Sequence, residues 1–148
     1  MDTGGPKGRP HDISGEKLYA LFEKRLGIPS SFVVNEYGMT ELGTQYYDTV
    51  LADHLAGLNR TRAKAIPRWA RLRIVNPETS VDCEEGEPGI LVHYDITNRG
   101  SVLAVETSDI GIRIGDRFEI TGRAEGAESR GCSLNEGMSH LPLARTQK

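Results

Sequence analysis

The apolar run Phe32-Val33-Val34 opens directly into Asn35-Glu36-Tyr37-Gly38-Met39-Thr40-Glu41, and this junction constrains the fold more than any other stretch. A short run rich in β-branched residues predicts a buried strand. The residues after it cannot extend that buried surface. Gly38 lacks a Cβ, and Thr40 and Glu41 bring a hydroxyl and a carboxylate that need solvent or a ligand. The sequence therefore predicts a strand that delivers a polar loop from its carboxyl end, which is where open α/β sheets hold ligands.

The segment before it completes an α/β unit. Ser14 to Leu26 predicts a helix: Ser14 is a cap, Glu16 stands in the first turn, Lys24 and Arg25 in the last, and Gly27 stops it. Leu18, Leu21, Phe22 and Leu26 recur at helical spacing and predict a stripe covering the sheet of Phe32 to Val34. Leu42 to Leu58 is loosely periodic and predicts short helical turns. Its Tyr46 and Tyr47 are candidates to line an acyl pocket, with plain core cover the favoured alternative.

From Trp69 the pattern changes to short strands split by turn residues: Arg71 to Val75, Ile90 to Tyr94, Val102 to Glu106 and Arg117 to Thr121. The expected organisation is a single α/β domain. Within it lie an α/β unit over 10–58, a small antiparallel β-barrel or meander over 69–123, and a C-terminal arm over 124–148.

With 148 residues, 17 glycines and 37% apolar residues the chain is expected to be globular and rich in turns. A net charge of -3 and a pI near 5.8 give no field for nucleic acid. The basic run Arg60, Arg62, Lys64, Arg68, Arg71 and Arg73 is therefore expected to form a solvated face or an anion-facing edge. No stretch is apolar enough to span a bilayer and no signal-peptide core is present, so a cytoplasmic location is expected. Cys83 and Cys132 are too few for a disulfide framework, and each is expected as a free thiol.

The loop residues suit a nucleotide. Tyr37 offers a flat face for a purine, Gly38 allows close backbone approach, Thr40 offers a hydroxyl to a phosphate oxygen, and Glu41 offers a hard oxygen for Mg²⁺. Asn35, Tyr37, Gly38, Thr40 and Glu41 together resemble the Asn-x-Tyr-Gly-x-Thr-Glu signature of the adenylate-forming superfamily. Thr107-Ser108-Asp109-Ile110-Gly111 resembles its Thr-Gly-Asp-Leu-Gly motif, with Ser108 in place of glycine, and Gly122-Arg123 resembles its hinge motif. The resemblance implies that Asp109 accepts both ribose hydroxyls and that Arg123 reaches the ribose or α-phosphate.

The ending, Glu128-Ser129-Arg130-Gly131-Cys132-Ser133-Leu134, is similar to that of the acyl-protein synthetases of the LuxE type, as are Gly4-Gly5-x-Lys7-Gly8-Arg9 and Glu36 to Leu42. The likeness covers nearly the whole chain but corresponds to the C-terminal part of that family, implying that an upstream half with the acyl pocket and phosphate loop lies outside it. It also implies ATP and Mg²⁺ as cofactors, a fatty acid as substrate, an acyl reductase as partner, and Cys132 as the acyl acceptor. Arg130 nearby would favour its thiolate, and His140 is a candidate base. Cys83, among Asp82, Glu84 and Glu85, is expected to have a raised pKa and to be dispensable. Two alternatives stand beside this reading: a ligase of the phenylacetate-CoA type, and a non-catalytic nucleotide-binding or partner-binding remnant.

Overall fold

A computed structural model describes residues 1–3 and 14–124. Two sheets face one core. The smaller has the order β1-β2-β3, with β1 (Asp2–Thr3) parallel to β2 (Asn35–Tyr37) and β3 (Tyr46–Tyr47) antiparallel to it. The larger sheet runs β4-β8-β7-β6-β5, from β4 (Lys64–Ala65), β5 (Ala70–Val75), β6 (Gly89–Asp95), β7 (Ala104–Ile114) and β8 (Arg117–Arg123). Strands β5 to β8 form an antiparallel meander, and the sheet stays open rather than closing into the barrel that was the other expectation.

Helix α1 (Gly15–Leu26) forms where its punctuation predicts. Ser14 Oγ accepts from Lys17 N, and Gly27 takes the left-handed conformation at φ 66° that closes the helix. Its expected role as a sheet cover is not met. None of its residues is buried, and Leu21 and Leu26 are 41% and 64% exposed. Its tie to the smaller sheet is polar and aromatic instead: Tyr19 Oη donates to Asp2 Oδ2 at 3.2 Å, and the Arg62 guanidinium lies 4.5 Å from the Tyr19 ring centroid.

The strand expected over Phe32 to Val34 lies three residues later. Ser30–Phe32 is a 3-10 turn and pairing begins at Asn35, because β1 meets the chain there and not earlier. In the next segment Tyr46 and Tyr47 form β3, and α2 (Val50–Leu55) follows. Tyr46 is fully buried with Leu42, Leu72, Ile74, Leu91 and Phe118, so it is core, while Tyr47 is 40% exposed.

Half of the basic run is held in ion pairs: Arg60 with Asp53, Arg62 with Asp48, and Arg73 with Asp82 at 2.7 Å. Lys64 is buried and donates to Asn35 Oδ1 at 2.7 Å. Local acids meet three of these cations, while Arg60, Arg68 and Arg71 are exposed, so the run is in part the solvated face expected. Asp48 also bridges backbone to backbone with Lys64, so the same cluster joins the two sheets.

Candidate functional site

Tyr37 stands at the end of β2, and its ring lies against Tyr46, His93 and Phe118 at centroid distances of 6.1, 5.7 and 6.3 Å. Its hydroxyl donates to Asp109 Oδ2 at 2.8 Å, and Arg123 Nε donates to Asp109 Oδ1 at 2.9 Å. Asp109 and Arg123 are direct cross-strand partners on β7 and β8. One residue from each of the three motifs thus meets at a single carboxylate. The two bonds use one acceptor position on each oxygen of a group with about four such positions, so the carboxylate keeps capacity for further donors.

Three expectations change here. Asp109 is not past a strand end but inside the long strand β7, beside a register shift between Ile110 and Gly111. It is not free of ion pairing, because the cross-strand register places a guanidinium opposite it. Tyr37 was expected to offer its ring face; its hydroxyl is also engaged, bonded to a carboxylate that is only 14% exposed. Burial, followed by the charge of Asp109, pushes the Tyr37 pKa far up, so the phenol remains a donor.

Sequence reasoning missed His93. It is fully buried on β6; its Nδ1 lies 3.0 Å from Tyr46 Oη and its Nε2 3.5 Å from Tyr37 Oη. Burial lowers its pKa to about 4, so the imidazole is neutral at physiological pH. The signal was present in the alternation Leu91, His93, Asp95, which puts a histidine and an acid on the buried face of a strand.

Thr40 and Glu41 are exposed in the turn after Gly38. A Cβ at Gly38 would lie 2.6 Å from Glu36 Oε1, so glycine leaves room for that buried carboxylate, which accepts from Thr3 Oγ1. The far end of the loop is held to the β6–β7 turn. Asn98 Nδ2 donates to Glu41 O at 2.7 Å, Thr44 N to Asp95 Oδ2 at 2.7 Å, and Trp69 Nε1 to Thr44 Oγ1 at 3.1 Å. Asp95 would be raised by burial, but hydrogen bonds from Thr97 and Thr44 hold its pKa below the usual value.

Among the described residues no group of three or more His, Cys, Asp or Glu is placed to hold a metal ion. A lone exposed carboxylate at Glu41 fits Mg²⁺ as a shared ligand with phosphate oxygens and water, the usual arrangement for that ion. Asn35 is not brought to the carboxylate cluster by its amide, which donates to Asp2 Oδ2 at 3.0 Å and accepts from Lys64. Cys132 and His140 lie outside the described residues.

A cleft of about 410 Å³ opens elsewhere, lined by Arg71, Arg73, Arg113 and Cys83 among others, and contains none of the motif residues. We place the candidate site at Asp109, because the motif residues meet there and two of the cleft's three arginines are engaged: Arg73 pairs with Asp82 and Arg113 donates to Leu72 O at 3.0 Å. The Cys83 pKa is raised, by burial first and then by Glu87 and Asp82, so the direction expected from its acidic neighbours holds with burial as the larger cause.

No protein-family model matches the sequence, and no curated protein matches it. Solved structures do. The chain is similar to the A-PCP portion of McyG complexed with phenylalanyl-adenylate (21% identity, TM-score 0.57, 83% of this chain and 21% of that one). It is similar to ATP-bound MatB from Rhodopseudomonas palustris (16%, TM-score 0.51, 71% and 22%). A structure from work on fatty acyl-adenylate ligases of E. coli and L. pneumophila matches at 14% identity and a TM-score of 0.52, over 82% of this chain and 28% of that one. The described fold is therefore shared with part of each of these structures, and the chain spans between 21% and 28% of their length.

Proposed function

We propose that this chain carries the nucleoside-holding part of an enzyme that activates a carboxylic acid with ATP, and that the acid is a long-chain fatty acid destined for an enzyme cysteine. The observation that carries the reading is the meeting of Tyr37, Asp109 and Arg123 at one carboxylate within a fold shared with adenylate-forming enzymes.

In this reading Asp109 accepts the ribose hydroxyls at the acceptor positions its two internal bonds leave, and the Tyr37 ring flanks the purine. Arg123 sits beside the ribose with a permanent charge that suits the α-phosphate. Thr40 donates to a phosphate oxygen, and Glu41 with substrate phosphates would hold Mg²⁺, which neutralises charge as pyrophosphate departs. A fatty carboxylate oxygen attacks the α-phosphorus; an O–P bond forms, the α–β anhydride bond breaks, and pyrophosphate leaves. The Cys132 thiolate then attacks the acyl carbon, forming an S–C bond and releasing AMP, and the thioester passes to an acyl reductase.

The test is incubation with ATP, Mg²⁺ and radiolabelled fatty acid. The intact enzyme that carries this chain should form acyl-AMP and acquire hydroxylamine-labile label, and Cys132→Ser should lose the label while still forming acyl-AMP. Label retained in Cys132→Ser would move the acceptor, and acyl transfer to coenzyme A instead would favour the phenylacetate-CoA type. Because the chain spans only 21% and 22% of two of its structural neighbours, ATP binding without turnover is the second reading. Saturable ATP binding with no acyl-AMP would select it.

A further inference from the structure

We propose that His93 and Tyr46 are positioning residues for Asp109, acting through Tyr37 in a hydrogen-bonded chain with one fixed direction. The inference rests on the nucleoside reading of Asp109 and adds two residues that no motif contains. A count of protons sets the direction. The Asp109 carboxylate accepts only, so the Tyr37 hydroxyl must donate to Oδ2, which it does at 2.8 Å. The Tyr37 oxygen, which the Thr107 hydroxyl also reaches, can then take only a donor from the imidazole, whose Nε2 lies 3.5 Å away. A neutral imidazole carries one N–H, so Nδ1 is bare and accepts from the Tyr46 hydroxyl at 3.0 Å.

The order Tyr46, His93, Tyr37, Asp109 cannot be reversed without leaving two donors or two acceptors facing each other. Its first two members are fully buried, with rings 5.2 Å apart, so they have no solvent alternative. Aligned hydrogen bonds of this kind polarise one another. The core thereby fixes where the Tyr37 hydroxyl points, and the hydroxyl holds one oxygen of Asp109 while Arg123 holds the other.

If the three rings merely fill space, replacing the imidazole by a ring of similar size leaves ribose recognition unchanged. The experiment measures affinity of the full chain for AMP and for 2′,3′-dideoxy-AMP. Two hydrogen bonds to a carboxylate should give the wild type a preference for AMP of about tenfold or more. His93→Phe should reduce that preference severalfold and Tyr37→Phe should do the same. The double variant should lose no more than either alone, and His93→Gln, whose amide can donate toward Tyr37, should recover most of it. A His93→Phe protein that folds and keeps the full preference overturns the proposal, as does simple additivity in the double variant. Nitrogen chemical shifts of the wild-type imidazole give an independent check that survives a folding failure: the proton belongs on Nε2, and a proton on Nδ1 overturns the chain. A wild type that binds no AMP sinks the nucleoside reading itself; binding with an unperturbed preference sinks only the inference.

Discussion

Burial lowers the His93 pKa from 6.5 to about 4, and that difference is a statement about stability. Between those values the unfolded chain binds the proton and the folded one does not, so stability rises with pH across the window and is lost as pH falls from about 6.5 toward 4. A shift of this size corresponds to about 3 kcal/mol. Urea melts of wild type and His93→Phe at pH 7 and pH 4.5 should show a steeper acid loss in the wild type; parallel losses would mean that His93 is not buried neutral. Asp95 acts in a separate window, because its depressed pKa keeps stability until pH falls below about 3.8. Tyr37→Phe removes a donor to Asp109 and is expected to cost about 1 to 3 kcal/mol. Tyr37→Ala also empties the ring's place against Phe118 and should cost roughly 3 kcal/mol or more. A Tyr37→Phe cost near zero in chemical denaturation would deny the hydroxyl its role, and equal costs in the two variants would deny the ring its own.

Among the elements, those with local punctuation were legible from sequence alone. Ser14 and Gly27 bound α1 where the cap residues predict, and β5, β6 and β8 appear within a residue or two of their turn signals. What local chemistry could not show was partnership. Strand β7 runs past its expected end at Glu106 to Ile114 because β8 continues to pair with it, and only that register reveals Asp109 opposite Arg123. His93 was overlooked because a histidine carries no motif until its neighbours are known. Both the strand pairing and the helix can be probed directly. A Cβ at Gly111 would lie 2.6 Å from Glu119 O and 2.8 Å from Leu91 Cδ2, so Gly111→Ala should cost about 1 to 3 kcal/mol in urea melts by forcing the β7–β8 pair apart. Helix α1 has no buried residue, so Ser14→Ala should speed amide exchange in its first turns while leaving the melting temperature nearly unchanged. A large drop in melting temperature would mean that the helix belongs to the cooperative unit.

Across the described residues, two sheets are fastened by an aromatic cluster and by the partly buried polar group of Asp48, Arg62, Lys64 and Asn35. The cluster has a second consequence, since Tyr37 belongs both to that shared core and to the candidate site. Nucleoside binding at Asp109 should therefore stabilise the junction of the sheets, and saturating AMP should raise the melting temperature. The proposed place of nucleoside binding is the Asp109 carboxylate. Its most direct test is amide chemical-shift mapping of the labelled chain with AMP. Saturable changes should centre on Tyr37 to Glu41, Asp109 and Arg123 and disappear in Asp109→Ala; changes confined to the cleft of Arg71, Arg73 and Arg113, or no saturable change at all, would contradict the account.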